Sequence, residues 1–292
     1  MRVWLNDALV PPDEARVSVM DRGFLYGDGV YETLRVYRGV PYRFEEHMAR
    51  LARSASAIGL GLPKGEGEIW AALAETLDAN ALREALVRIT VSRGEGPLGL
   101  DPALAARPTF VVMAFPFREY PESYYKVGVS AIVARTRRMP RAALDPAIKS
   151  LNFLNNIQAR REAVERGAFE ALMLNARGRL AEGTVSNVFF VREGAVFTPS
   201  KACGILAGVT RDAVVSLARA EGYRVRQGGF RKEELLGADE VFLTNSSLEV
   251  VPVGELEGIK IAPGAVTRAL RAAYLRDVER YVAERATHRR PG

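Results

Sequence analysis

Residues 178–222 read GRLAEGTVSNVFFVREGAVFTPSKACGILAGVTRDAVVSLARAEG, and the hydrophobic period switches within them. The run NVFFVREGAVFT, from Asn187 to Thr198, is dense in β-branched and aromatic residues and predicts strand. After Gly208 a helical period begins at once, which predicts a helix over 210–221. Two positions here can carry chemistry. Glu182 lies between a turn at Arg177-Gly178 and a strand starting near Ser186, where a carboxylate is by itself an ordinary surface group. Gly208 frees the backbone just before Val209 and Thr210, so helix N-terminal amides point outward with a dipole that favours an anion. Alone, this is an ordinary helix start.

Around this stretch the strands VSAIVART, EALMLN, YRVRQ and EVFLTN alternate with helices expected at 150–166, 210–221 and 264–285. The segment FLTNSSLEVVPV sets Thr244, Asn245, Ser246 and Ser247 at a strand end, where hydroxyls and turn amides can meet a ligand. Nearer the N-terminus, RVWLND, VYETLRVY, VPYRF, EALVRITVSRG and PTFVVMAFPF read as strands. EEHMARLARSASAIGL and GEIWAALAETLDANAL have helical spacing. Between the two sets, REYPESYYKVG (118–128) has no clear period and reads as an interdomain connection. The expected fold is α/β (α+β), with a small domain over 1–117 and a larger strand-rich domain over 129–292.

Hydrophobic residues at 48% and charged residues at 26% are an ordinary globular balance, enough for a substantial core. The first twenty residues carry Asp7, Asp13, Glu14 and Arg16 and lack a long apolar run, unlike a signal peptide; no window resembles a membrane span. A single cysteine, Cys203, forbids an internal disulfide and fits a reducing cytoplasm. The net charge of +6 comes from arginines scattered through amphipathic segments, with one dense cluster in the terminal RATHRRPG, which reads as a frayed tail. That distribution argues against nucleic acid and suits an anionic small ligand. Of two histidines, His288 lies in the tail and His47 in a helical pattern, where it reads as a surface or packing residue; no spacing supports a metal site.

Only six of the 41 basic residues are lysines, so Lys149, in DPAIKSLNFLNNIQ, stands out as a place where an amine was needed in addition to a charge. A lysine can be deprotonated and form an imine, which an arginine cannot. An imine with an aldehyde cofactor would also need an anion for a pyridinium nitrogen and a cradle for a phosphate.

Taken together and in this order, Lys149, Glu182, SNVFF, VFT and GILAGVTR resemble the class IV (fold type IV) pyridoxal-phosphate aminotransferases, the branched-chain, D-amino-acid and aminodeoxychorismate lyase group. The resemblance runs from NDALVPPDEARVSVMDRGFLYGDGVYETLRVYRG to EVVPV. It implies pyridoxal 5'-phosphate held by Lys149, which would also shuttle the proton between substrate Cα and cofactor C4′. Glu182 would pair with the pyridine nitrogen. Arg50, Val209, Thr210 and Ser246 would bind the phosphate, and Leu206 would pack on the ring. Relatives of the branched-chain type often have a tyrosine near Phe153; its absence assigns the ring oxygen, or the substrate carboxylate, to Tyr31. Thr33, Arg35, Leu98 and Ser247 are implied as substrate contacts, with Arg93 an alternative to Arg35, in a homodimer acting on an amino acid and a 2-oxo acid.

The loop VSRGEGPLGLDP is similar to that of archaeal branched-chain enzymes, and Leu98 and Leu100 stand where D-amino-acid members carry an arginine and a histidine. YETLR and TNSSLE are more like the lyases. The leading expectation is a branched-chain L-amino-acid transaminase using 2-oxoglutarate; a D-amino-acid transaminase and a lyase releasing pyruvate and 4-aminobenzoate remain the alternatives.

Overall fold

The computed structural model describes residues 1–105 and 107–287; His288 and the end of the terminal basic cluster lie outside the described residues. The chain forms two compact units. The first comprises Met1–Arg118, Ile148–Asn152 and residues 281–287, and the second comprises Glu119–Ala147 and Phe153–Arg280. Two pieces expected with the larger domain, the segment around Lys149 and the end of the last helix, thus group with the first unit. Both units mix helix and sheet, an α/β (α+β) architecture.

The first unit is a six-stranded antiparallel sheet in the order Ala8–Val10, Val3–Leu5, Thr109–Pro116, Ala85–Ser92, Gly29–Tyr37, Val40–Pro41. Strand side chains alternate between faces. Val30, Leu34 and Val36 of one central strand, with Val87, Ile89 and Val91 of its neighbour, point to one face and are almost completely buried. Helices Phe44–Ala57 and Glu66–Ala79 supply Leu51, Leu73 and Leu77 to the same core. The other face therefore receives Tyr31, Thr33 and Arg35 and, across the register Tyr31↔Thr90 and Thr33↔Arg88, the side chains of Thr90 and Arg88. Glu32 is the exception to the apolar set on the helix-covered face, and it is fully buried.

The second unit is a nine-stranded mixed sheet. Its main path runs Val225–Gly228, Ala195–Pro199, Asn187–Arg192, Glu240–Asn245, Glu249–Leu256, Val129–Val133, Glu170–Leu174, Leu180–Gly183. Helix Val209–Ala220 begins where the change of period predicts, with Gly208 as its N-cap. The aperiodic 118–128 segment contains a short helix, Glu122–Lys126, and its tyrosines Tyr120, Tyr124 and Tyr125 pack against the second unit's core. Among the described residues no helix is long and apolar enough to cross a membrane.

One expected boundary moves. The helix after Lys149 spans Leu154–Glu165 rather than starting at 150. The preceding residues take an extended path because their backbone pairs with a strand: Tyr31 N–H donates to Lys149 O at 3.0 Å, Leu151 N–H donates to Gly29 O at 3.0 Å, and Val30 bridges Ser150. Those bonds replace the ones a first helical turn would make.

Candidate active site

In the first unit, Lys149 sits on this short edge segment with its Nζ 4.4 Å from the centroid of the Tyr31 ring. The Arg88 guanidinium lies 3.9 Å from the same centroid. Both distances are within cation–π range. Burial pushes the Tyr31 phenol up to about 12, against the pull of Arg88, so its hydroxyl stays protonated at neutral pH and can donate a hydrogen bond.

On the helix-covered face, Glu32 is shared by two partners from helix Phe44–Ala57. Arg50 donates Nε and Nη2 to its two oxygens, both at 2.7 Å, and His47 Nδ1 is 2.8 Å from one of them. Burial alone would raise the Glu32 carboxyl. Arg50 and then His47 outweigh it and hold the group well below the usual carboxylate range. Arg50, predicted for the phosphate, is thus oriented by a fork of two parallel bonds. His47 is 2% exposed and belongs to this network, so it is not a surface residue.

This triad sets an acid response. Burial lowers His47 from its ordinary value despite the Glu32 carboxylate, and Glu32 is itself depressed. In both cases the unfolded chain takes up the proton first. Stability is therefore complete above the unfolded values and is lost as pH falls towards the folded ones. The expected result is a decline beginning below about pH 6.5 and a second below about pH 4.3. Urea midpoints measured against pH should show both stages in the parent and lack the first in His47→Asn; an unchanged first stage would remove His47 as its source.

The remaining first-unit candidates divide. Thr33 and Arg88 are cross-strand neighbours. Arg35 is 6% exposed, paired with Glu84 at 2.6 Å and stacked 3.5 Å from the Phe117 centroid, so its guanidinium is engaged in holding the sheet edge. Arg93 is likewise engaged, by both oxygens of Asp28 and the carbonyls of Ile58 and Gly59. Leu98 and Leu100 are 72% and 79% exposed on a loop whose carbonyls at Gly99 and Leu100 are held by the buried Arg22.

In the second unit Glu182 is 4% exposed and fully engaged: Arg138 Nε donates to one oxygen at 2.9 Å, while Leu206 N–H at 2.9 Å and Asn187 Nδ2 at 3.2 Å donate to the other. The bond from Leu206 ties the ring-packing candidate to the carboxylate. Asn187 Nδ2 also donates to Leu206 O. Beside it, helix Val209–Ala220 starts without a side-chain cap on its amides. A Cβ on Gly208 would come 2.0 Å from Asn187 Oδ1, so the turn admits only glycine without displacement. Thr244 pairs in register with Asn187 and buries a hydroxyl without a protein partner. Uncapped amides, a tight glycine turn and a buried hydroxyl make a cradle suited to a phosphate, and an anchored carboxylate suits a protonated pyridine nitrogen. Ser246 and Ser247 follow in the turn closed by Asn245 Oδ1, which accepts from Ser247 N–H at 3.0 Å.

Arg88, Glu32 and Arg138 are absent from the sequence-derived set. For Arg88 a signal existed, an arginine inside the strand EALVRITVSRG, but the face it takes depends on register. For Glu32 and Arg138 the partners lie 18 and 44 residues away.

Each unit thus carries groups of the kind an amine-transfer enzyme with an anionic cofactor needs: a lysine over a tyrosine ring in the first, a buried carboxylate and an uncapped helix start in the second. Residues 29–256 match the family described as amino-transferase class IV, and the chain belongs to it. It is 40% identical to a putative branched-chain-amino-acid aminotransferase of Methanocaldococcus jannaschii, over 94% of this chain and 95% of that one. It is 37% identical to a D-alanine aminotransferase of Bacillus licheniformis, over 94% and 95%. Among solved structures, the T.th. branched-chain amino acid aminotransferase with pyridoxamine 5'-phosphate superposes with a TM-score of 0.91 at 32% identity, covering 99% of this chain and 95% of that one. The protein is a pyridoxal 5'-phosphate-dependent aminotransferase.

Proposed function

We propose that the enzyme transfers the amino group of branched-chain L-amino acids to a 2-oxo acid such as 2-oxoglutarate, as a cytoplasmic homodimer, with the two compact units serving as small and cofactor-binding domains. The observation that carries the substrate reading is a cavity of about 260 Å³ in the second unit, walled by Tyr120, Phe153, Ile157, Phe169 and Leu248 next to Ser247. Asn156, Arg160, Glu170, Thr184 and Asn245 also line it, so an apolar wall that suits a branched aliphatic side chain stands beside polar groups. Phe153, where many relatives have a tyrosine, adds to that apolar lining.

When bound, the cofactor supplies an electron sink for the negative charge that develops at substrate Cα. Lys149 anchors it, and its Nζ then takes the proton leaving Cα. Glu182, held by Arg138, keeps a proton on the pyridine nitrogen. Arg50, fixed by Glu32, and the Val209, Thr210 and Ser246 groups hold the phosphate, while Leu206 packs on the ring. Tyr31 donates its hydroxyl to the ring oxygen or the substrate carboxylate. Thr33, Leu98 and Ser247 border the substrate. With Arg35 engaged by Glu84, Arg88 takes over as the guanidinium for a substrate carboxylate.

A panel of L- and D-amino acids scored by bleaching of the lysine-bound cofactor tests this directly. L-leucine and L-valine should bleach the visible band, and 2-oxoglutarate should restore it. Bleaching by D-alanine alone would overturn the L-specific reading. Pyruvate release from aminodeoxychorismate without a response to L-leucine would make the enzyme a lyase.

A further inference from the structure

Helix Phe44–Ala57 turns one stripe of its surface towards the lysine segment: His47, Arg50 and Ser54, spaced i, i+3 and i+7, are all buried. The first two are spent on Glu32. Ser54, only 2% exposed, has another partner: its Oγ accepts the backbone N–H of Lys149 at 3.1 Å. The Lys149 peptide is therefore fixed at two points, its carbonyl by Tyr31 N–H at 3.0 Å and its amide by Ser54. Ser54 is four residues beyond Arg50 on the same helix, a separation of roughly 6 Å along the axis.

We propose that Ser54 is a positioning residue for Lys149, and that one turn of this helix sets the distance between the arginine that addresses the phosphate and the backbone that carries the reactive amine. The cofactor is a rigid ring with its phosphate and its aldehyde at fixed separation, so the two protein groups that meet those ends must keep a matching separation. A single helical turn is a stiff way to keep it, because its length is set by internal hydrogen bonds and not by loop conformation. Without the Ser54 hydroxyl the Lys149 amide would lose its side-chain anchor while the segment kept its backbone bonds to Gly29 and Tyr31, and Nζ would be less confined above the Tyr31 ring. A displacement of about 1 Å at a reacting group costs on the order of 100-fold in rate.

The proposal rests on Lys149 being the residue that binds the cofactor, and the test separates the two ideas. Ser54→Ala and Ser54→Thr are compared with the parent, with Lys149→Ala as control. Ser54→Ala is expected to stay folded and coloured. Its bleaching by L-leucine should slow by roughly 10- to 100-fold, and the pH midpoint of its visible band should shift. In the cofactor-free protein, amide exchange at residues 148–151 should accelerate. Ser54→Thr, which retains the hydroxyl, should restore all three. Loss of a hydroxyl that merely stabilised the fold would lower the melting temperature and leave the pH midpoint in place. Parent-like bleaching and pH midpoint in Ser54→Ala would therefore overturn the positioning role, as would failure of a folded Ser54→Thr to recover them. A visible band that survives in Lys149→Ala would instead overturn the lysine assignment, and the proposal with it.

Discussion

Lys149→Ala is expected to give a folded protein that has lost the visible absorbance of lysine-bound cofactor and at least about 1,000-fold of its amine-transfer rate. Two contributions disappear together. The covalent anchor goes, and so does the base that takes the Cα proton, a role worth about 100- to 10,000-fold by itself. Arginine should not rescue it. A guanidinium keeps the charge near Tyr31, but it is protonated at every accessible pH and cannot act as the nucleophile. Lys149→Arg therefore separates the need for an amine from the need for a cation, and both variants should be as inactive as each other. The measurement is single-turnover bleaching with L-leucine, alongside circular dichroism to establish the fold. An Arg variant retaining more than a small fraction of the rate would return Lys149 to an electrostatic role.

Glu182→Ala should be damaging in two measurable ways. Its side chain and that of Arg138 are 6% and 12% exposed, so truncating the carboxylate leaves a buried guanidinium without its counter-charge, at a cost of about 3–5 kcal/mol. It also strands the Leu206 amide and one Asn187 N–H bond. Glu182→Gln keeps the shape but not the charge. One face of the amide must now present N–H groups either to Arg138 or to Leu206, and the pyridine nitrogen loses its anion. A rate loss of about 100- to 1,000-fold is expected from removing one preorganised electrostatic partner. Urea denaturation and single-turnover rates on both variants are the measurement: both should lose stability, because Arg138 is left without its counter-charge in each, and both should lose rate. A Gln variant with the parent's rate would mean that Glu182 serves the fold alone.

The family and much of the local fold are legible along the chain because they depend on short spacings. Gly208 before Val209 and Thr210 predicts a helix over 210–221, and the helix spans Val209–Ala220. Lys149 was conspicuous among the arginines, and Glu182 lay at a fixed interval from the strand that follows. The run VYETLRVY likewise reads as strand, and it lies in strand Gly29–Tyr37.

Less legible were the residues that act on these. The pattern after Lys149 reads as helix from 150, yet bonds to Gly29 and Tyr31, some 120 residues earlier, hold that part extended. Nothing in the sequence distinguishes Arg35 from other arginines as a carboxylate partner; its pairing with Glu84, 49 residues on, depends on the sheet.

The order of residue types along this chain determined its family and its cofactor, because those follow from which groups the chemistry requires and from local backbone geometry. Tertiary structure alone decided how the groups are held: Glu32 between His47 and Arg50, Arg138 on Glu182, Ser54 on the Lys149 amide, Arg88 at Tyr31. Each of these depends on strand register or helix phase bringing distant residues within hydrogen-bond or ring-contact distance. Burial then decides which charges stay paired, and no local pattern encodes that.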